Sequence, residues 1–215
     1  NSNYDAVFAT SSRLFTAFLG ARIASKKRIT LYLDMRDIFV DTMTEVFPRA
    51  ISFLVTPLLR LIENYTFRRA SHINLVSKGF LKYFQEKQLD CSYSFYTNGI
   101  DTEFENITDS KEISLLKKEK IDILYAGNIG QGQGLHKILP KLAMHLSERA
   151  NFLVIGDGGL KENLRDQITK LSIDNIELRD PVGREKLIEE YLKADVLFLH
   201  LNNFHAFKKV LPSKL

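Results

Sequence analysis

The chain has 215 residues, enough for one large domain or two small ones at roughly 150 residues each. With 45% hydrophobic and 26% charged residues it reads as globular, neither disordered nor collagen-like. A net charge of +4 is too weak to argue a nucleic-acid partner, but it suits anionic small molecules or an anionic membrane surface. The lone Cys91 excludes an intrachain disulfide and a cysteine-based zinc site, and it favours a reducing compartment. The longest apolar run, Ala50 to Ile62, is interrupted by Pro57 and Arg60 and is too short to span a bilayer. The chain starts at Asn1 without Met or a signal peptide and stops at Leu215 after a turn-like LPSK, so it reads as an interior piece of something longer.

Strands and amphipathic helices alternate throughout. Tyr4 to Ala9 reads as a buried strand, with Thr10, Ser11 and Ser12 as N-cap residues for a helix marked by Leu14, Phe18 and Ala21. Lys26 and Lys27 suit its C-terminus. Ile29 to Leu33 is the next strand, and Asp34 to Asp41 a charged loop at its end. Val46 to Arg69 reads as one long basic helical stretch interrupted at Pro57. His72 to Val76 is a strand, Lys78 to Lys87 a helix and Ser92 to Tyr96 a strand. Thr97 to Asp101 (TNGID) is a turn, since Asn-Gly readily takes positive φ.

A polar, charge-mixed stretch up to Lys120 marks a boundary. The expected domains are therefore 1–100, a linker over 101–119, and 120–215. The second half repeats the alternation: strand Ile121 to Ala126, a helix marked by Leu135, Ile138, Leu142 and Leu146, and strand Phe152 to Ile155. Pro140 predicts a kink or a late start in that helix. Another helix runs through Leu160 to Leu171, then strand Asn175 to Leu178, helix Glu185 to Lys193 and strand Val196 to Leu201. This order gives an α/β fold with parallel, doubly wound sheets and binding loops at the strand C-termini.

Two glycine-rich turns follow strands of the second half. GNIGQGQG (Gly127 to Gly134) holds four glycines in eight residues, more than a plain βα turn needs. It also opens a helix, whose N-terminus favours an anion. The alternative is an ordinary tight turn. The spacing fits neither the dinucleotide fingerprint nor a P-loop. GDGG (Gly156 to Gly159) is weaker alone, but two such turns on adjacent strands line one crevice. DMRD places Arg36 between Asp34 and Asp37, either as a salt-bridged loop or as an Arg clamp and acid/base group. The segment His200 to Lys214 offers Lys208, Lys209 and Lys214 to neutralise a diphosphate, or is a solvated loop. Phe47 to Arg69, with Arg49, Arg60, Arg68 and Arg69, is either a core helix with snorkelling arginines or a helix lying on an anionic membrane. No DxD, HExxH or GxSxG occurs, and the five histidines lack metal-ligand spacing. No protein-held metal is expected.

These segments together (YDAVFATSSRLFTAFLGARIA, LYLDMRDIF, INLVSKGF, TNGID, ILYAGNIGQGQGL, FLVIGDGGLKENL and KADVLFL…LPSKL) resemble family 4 retaining glycosyltransferases of the GT-B fold over essentially the whole chain. The branch it looks like builds bacterial O-antigen or capsule units and includes transferases similar to N-acetyl-L-fucosamine transferases. The resemblance implies two Rossmann-like domains facing a cleft, incomplete here at both ends, and a UDP-sugar donor used without metal or other cofactor. It implies a lipid-linked sugar acceptor, no nucleic acid, and a cytoplasmic protein at the inner face of the membrane in peripheral contact with anionic lipid.

By the same resemblance, Gly127, Asn128, Gly130, Gly132, Gln133 and Gly134 lie against the diphosphate, Gly156, Asp157 and Gly158 line the pocket, and Arg179 to Val182 edges the base. Ser213 and Lys214 approach the phosphates, and Arg36 and Asp37 hold the position where relatives carry an acceptor-domain residue facing the donor. Relatives commonly carry Arg and Lys where this chain has Asn128 and Gln133, so Lys208, Lys209 and Lys214 become the candidate cations. A ribose-binding Glu is expected just past Leu215, and a glycine-rich acceptor loop before Asn1. A UDP-sugar 2-epimerase of the same architecture and a nucleotide-binding module without turnover remain the rival readings.

Overall fold

The computed structural model describes residues 4–10, 13–100, 102–105 and 118–209. They fall into two compact units, one from Asn1–Gly99 with Asn203–Leu215 and the other from Ile100–Asn202. The break at Gly99 sits beside the expected boundary at 100. Residues after Asn202, expected in the second domain, group with the first unit instead.

The first unit holds strands β1 (Ala6–Thr10), β2 (Thr30–Met35), β3 (His72–Leu75) and β4 (Ser92–Ser94), all parallel in the order β1-β2-β3-β4. Helices α1 (Leu14–Lys27), α2 (Phe39–Val46), α3 (Arg49–Arg68) and α4 (Leu81–Gln85) connect them. Alternation along the strands sends Leu31, Leu33, Ile73 and Leu75 into a core shared with Ala17, Ala21, Phe67, Phe80 and Phe84. The opposite face carries Phe8 stacked on Tyr32 at 5.3 Å, and Tyr32 stacked on His72 at 4.6 Å.

Four local expectations are corrected. The helical stretch does not break at Pro57, which lies inside α3. It breaks at Phe47-Pro48, because a residue before proline is pushed out of the α region and Phe47 is extended (ψ 148°). The Asp34–Asp41 loop is shorter than expected, since Asp34 belongs to β2 and α2 starts at Phe39. The N-cap of α1 is Arg13 without a side-chain cap, while Ser11 and Ser12 lie outside the described residues. Asn98 and Gly99 do not take positive φ.

Between α3 and α4 lies a buried carboxyl. Glu63 is 1% exposed, accepts the Tyr83 hydroxyl at 2.5 Å and pairs with Lys87 Nζ at 3.1 Å. The Lys87 ammonium also lies over the Tyr83 ring, 4.5 Å from its centroid.

The second unit holds β5 (Ile121–Ala126), β6 (Ala150–Ile155), β7 (Ile176–Arg179) and β8 (Val196–Leu197), parallel in the order β7-β6-β5-β8. A short helix α5 (Thr102–Glu105) precedes them, and α6 (Leu135–His145), α7 (Lys161–Lys170) and α8 (Arg184–Lys193) link them. The order reverses at β5: the chain steps one way to β6 and β7, then returns to place β8 on the other side. A switch point of this kind opens a crevice at the strand C-termini. Helix α6 starts at Leu135 and runs through the buried Pro140, with no late start. The last strand is much shorter than the expected Val196 to Leu201.

Burial pushes the Glu63 carboxyl above its ordinary value, against the opposing pull of Tyr83 and Lys87. A carboxyl with a raised folded-state pKa binds its proton more tightly in the folded chain. Its contribution to stability is therefore full below the ordinary value and declines as pH rises through the raised one. Thermal melts from pH 4 to 7 should show Glu63→Gln gaining on the parent as pH rises. Parallel curves would assign the pH dependence to other groups.

Candidate functional site

The two glycine-rich turns leave β5 and β6, which are neighbours in one parallel sheet, so they emerge side by side. Their backbones are laced together. Gly127 N–H donates to the Ile155 carbonyl (2.8 Å), Ile129 N–H to the Asp157 carbonyl (2.7 Å), and Leu160 N–H to the Ile129 carbonyl (3.0 Å). Gly156 N–H donates to the Arg179 carbonyl at 3.1 Å, which ties in the end of β7. The approach is close enough to require glycine: a Cβ on Gly156 (φ +156°) would overlap the Gly127 carbonyl oxygen.

Side chains finish the turns. Tyr125 Oη donates to the Asn128 carbonyl at 2.6 Å, and the Asp157 carboxylate accepts Gly158 N–H at 2.8 Å. Asn128 and Gln133, where the resemblance led to the expectation of a basic pair, bind each other: Asn128 Nδ2 donates to Gln133 Oε1 at 2.9 Å. These two positions thus brace the turn and bring it no charge. Gly130 sits against both side chains.

The segment after β8 clasps the same turn. Asn202, buried, donates its backbone N–H to the Gly132 carbonyl (2.8 Å) and its Nδ2 to the Gln131 carbonyl (2.5 Å). His200 Nδ1 lies 2.6 Å from the Gln133 carbonyl. Gly134 is left-handed at φ +62°, and a Cβ there would run into the Asn202 side chain. No side chain caps the α6 N-terminus that follows. The glycine-rich turn thus presents a helix N-terminus with unfilled N–H groups, which favours an anion.

Several expected residues are engaged elsewhere. The Arg179 guanidinium is held by Glu177 (2.6 and 2.9 Å) and lies 3.3 Å from Glu190. It lines a hollow of about 420 Å³ with Lys193 and residues of β5, β6 and β7. Val182 is partly exposed in the loop before α8. Lys209 belongs to the first unit, where its ammonium pairs with Asp41 at 2.8 Å and its carbonyl accepts the Ser77 hydroxyl at 2.6 Å. Its charge is thus paired with Asp41 within the first unit. Lys208 is exposed in the same first-unit segment. Ser213 and Lys214 lie outside the described residues.

In the first unit, Arg36 Nε donates to Asp34 Oδ2 at 2.9 Å, the salt-bridged alternative. Asp34 also accepts Thr10 Oγ1 (3.2 Å) and Asn74 Nδ2 (2.8 Å). Asp34, Arg36, Asn74, Phe8, Tyr32 and Tyr96 line a hollow of about 280 Å³ at the strand C-termini. Asp37 accepts Thr42 Oγ1 at 3.2 Å, and burial holds its carboxyl above the ordinary range. Among the described residues, no group of three His, Cys, Asp or Glu could hold a metal ion.

The sequence reading missed Asn202 and His200 as clasps, and it missed Lys161. A lysine in the first turn of α7 opposes the helix dipole. That was a signal of a partner: its ammonium is buried and sits 2.5 Å from Asp180 Oδ1.

Residues 106–207 match the family model described as "Glycosyl transferases group 1". The chain is 25% identical over 169 residues to an Escherichia coli (strain K12) protein named for colanic acid biosynthesis glycosyl transfer, WcaI, covering 75% of this chain and 41% of the relative. Among solved structures, Anabaena Alr3699/HepE in complex with UDP and glucose matches 90% of this chain and 52% of its own at TM-score 0.66 and 19% identity. Sucrose-phosphate synthase from Thermosynechococcus elongatus matches 90% of this chain and 49% of its own at TM-score 0.70 and 11% identity. The chain thus spans about half the length of the relatives it matches.

Asn202→Ala should remove the side-chain clasp on the Gln131 carbonyl and cost about 0.5–1.5 kcal/mol. Gly156→Ala combines backbone strain with overpacking and should cost about 3 kcal/mol or more. Urea unfolding followed for each variant checks both, and an unaltered midpoint for Gly156→Ala would mean the two turns are not pressed together. Gly134→Val would disturb the Asn202 clasp as well as any ligand, so it does not isolate ligand approach.

With β5, β6 and their laced turns on a parallel sheet, the two units have the α/β architecture of GT-B glycosyltransferases, and residues 106–207 match the model of the group 1 glycosyl transferases.

Proposed function

We propose that the whole protein is a retaining glycosyltransferase that moves a sugar from a UDP-sugar to a lipid-linked or glycan acceptor in bacterial surface polysaccharide synthesis. The supporting observation is the laced pair of glycine-rich turns at the uncapped N-terminus of α6, inside the segment that matches the family. A diphosphate fits that place, because backbone N–H groups and a helix N-terminus are fixed before the ligand arrives. The names of similar proteins support the same reading: UDP and glucose in the Anabaena complex, and colanic acid biosynthesis for the Escherichia coli relative.

In this reading the bond between the anomeric carbon and the diphosphate oxygen breaks, and UDP leaves with the electron pair. The acceptor hydroxyl forms the new bond on the same face and passes its proton to the leaving diphosphate oxygen. The chain's own part is to stabilise charge on the leaving diphosphate with preorganised donors. Each such donor is worth roughly 10²–10³ in rate. The bound ligand requires no metal in this proposal. Arg36 and Asp37 are proposed on the acceptor side, and Lys214 as the cation that replaces the missing basic pair.

The test uses the full-length protein with a panel of UDP-sugars and lipid-linked acceptor. UDP release with a new glycolipid is the expected result; an epimerised donor or no turnover would overturn it. Lys214→Ala should lower kcat/KM by roughly 10² or more, as for the loss of one strong transition-state donor. Lys209→Ala should do far less, since its ammonium is committed to Asp41. The reverse ranking would place the cation at the wrong lysine.

A further inference from the structure

The hollow of the first unit is ordered by a chain of hydrogen bonds whose direction can be worked out. Asn74 is buried, and its Oδ1 accepts the Tyr96 N–H at 2.8 Å while its Nδ2 donates to the Tyr96 carbonyl at 3.0 Å. A backbone N–H only donates and a carbonyl only accepts, so these two contacts fix which way the amide faces. The other Nδ2 hydrogen goes to Asp34 Oδ1 at 2.8 Å. Ser94 Oγ, 3.0 Å from Asn74 Oδ1, therefore donates to it. The Ser94 oxygen is left to accept from Tyr32 Oη (3.2 Å) and from His72 Nε2 (2.9 Å). Every bond in the chain thus points toward one buried carboxylate, Asp34.

Asp34 passes this order to Arg36. Its Oδ2 accepts Arg36 Nε at 2.9 Å, and the Arg36 side chain is half exposed. Among the described residues Arg36 meets no other acceptor. A guanidinium carries five N–H groups in one plane, so four remain for whatever enters the hollow that Arg36 lines. The same hollow presents an acceptor. Asn98 lines it, and Asn98 Oδ1 is buried and accepts no hydrogen bond among the described residues. Buried polar atoms are ordinarily satisfied, so this one points to a ligand that donates. Phe8 and Tyr96, both exposed, add apolar ring surface to the lining.

Charge balance selects the ligand. Asp34 and Arg36 are the two charged residues of the lining, and they cancel. A phosphate or a carboxylate entering here would lack an uncompensated cation, and an ammonium would lack an uncompensated anion. A neutral ring with hydroxyls fits, because a hydroxyl donates to one partner and accepts from another. At about 280 Å³ the hollow lies at the small end of ligand sites, which suits a single ring. We propose that Asn98 is a specificity-determining residue: its Oδ1 accepts one hydroxyl hydrogen of a neutral pyranose, while Arg36, aimed by Asp34 and Asn74, donates to another oxygen of that sugar. The proposal rests on reading the whole protein as a glycosyltransferase, and it deepens that reading. It makes the accepting sugar an uncharged one, with one of its hydroxyls read by Asn98.

The experiment titrates full-length protein with methyl glycosides and reads binding by saturation-transfer NMR. The neutral probes are the methyl glycosides of glucose, galactose, mannose, fucose, rhamnose and the N-acetylhexosamines; the charged probes are methyl glucuronide and inorganic phosphate. At least one neutral glycoside should bind saturably, and at least about tenfold tighter than methyl glucuronide. Asn98→Ala should weaken that glycoside roughly tenfold, as for one lost hydrogen bond to a buried acceptor. Single-deoxy analogues of the same glycoside locate the hydroxyl. One of them should bind the parent about tenfold more weakly and bind Asn98→Ala no worse than the intact glycoside does, a coupling that a merely structural Asn98 would not produce. Asn98→Ala should keep or raise the melting temperature, since it removes an unmet acceptor. UDP affinity, read by calorimetry, should be unchanged in that variant. Saturable binding of no neutral glycoside, parity or better for methyl glucuronide, or no coupled deoxy position overturns the proposal. A lowered melting temperature in Asn98→Ala overturns it too, because Asn98 would then be holding the fold. The donor-site reading fails separately, by loss of UDP binding in the parent protein.

Discussion

The second unit depends on the backbone contact between its two glycine-rich turns. Strands β5 and β6 are hydrogen-bonded neighbours, so their exit turns would collide if either carried ordinary side chains at the crossing. Gly156 against the Gly127 carbonyl removes that obstacle, and three inter-turn hydrogen bonds then lock the pair. The end of β7 joins through Arg179, and the segment after β8 joins through Asn202 and His200. All four strands of the sheet thus fix one turn. Backbone N–H groups held this way are preorganised, and preorganisation is what makes a dipole useful to a developing charge.

The absence of a basic pair in that turn has a structural counterpart. Asn128 and Gln133 bind each other, so their side chains stiffen the loop and bring it no charge. The lysines near the end of the described chain do not restore the charge in a simple way. Lys209 is fixed to Asp41, and its carbonyl to Ser77, so this segment serves to anchor residues 205–209 on the first unit.

The first unit separates its two tasks by face and by flank. Alternation along β1 to β3 puts aliphatic residues into the core, while Phe8, Tyr32, Asp34 and Asn74 share the other face. Helix α3 repeats this division around its axis, with Glu63, Thr66 and Phe67 inward and Phe53, Leu54 and Leu58 outward. Burying a carboxyl in α3 is costly, and the Tyr83 hydroxyl and the Lys87 ammonium offset that cost. One effect is that the outward flank keeps no acid, which leaves its charge purely basic.

The sequence by itself determined the element order, the parallel sheets and the place of both glycine-rich turns. Hydrophobic period, glycine spacing and helix starts are local properties that a linear reading can see. It located β5, β6, α6 and the first-unit strands to within a residue or two. It could not decide where Lys209 spends its charge, because Asp41 lies 168 positions away in the chain. It placed the break in the long helical stretch at Pro57, whereas the chain breaks at Phe47-Pro48 and carries Pro57, exposed, inside α3. The same holds for Asn202, a polar residue in a polar loop until the fold brings it over Gly134, and for the α3 stripe, where composition allowed core or surface. Pairing, burial and close approach are properties of residues distant in sequence, so only the tertiary structure assigns them.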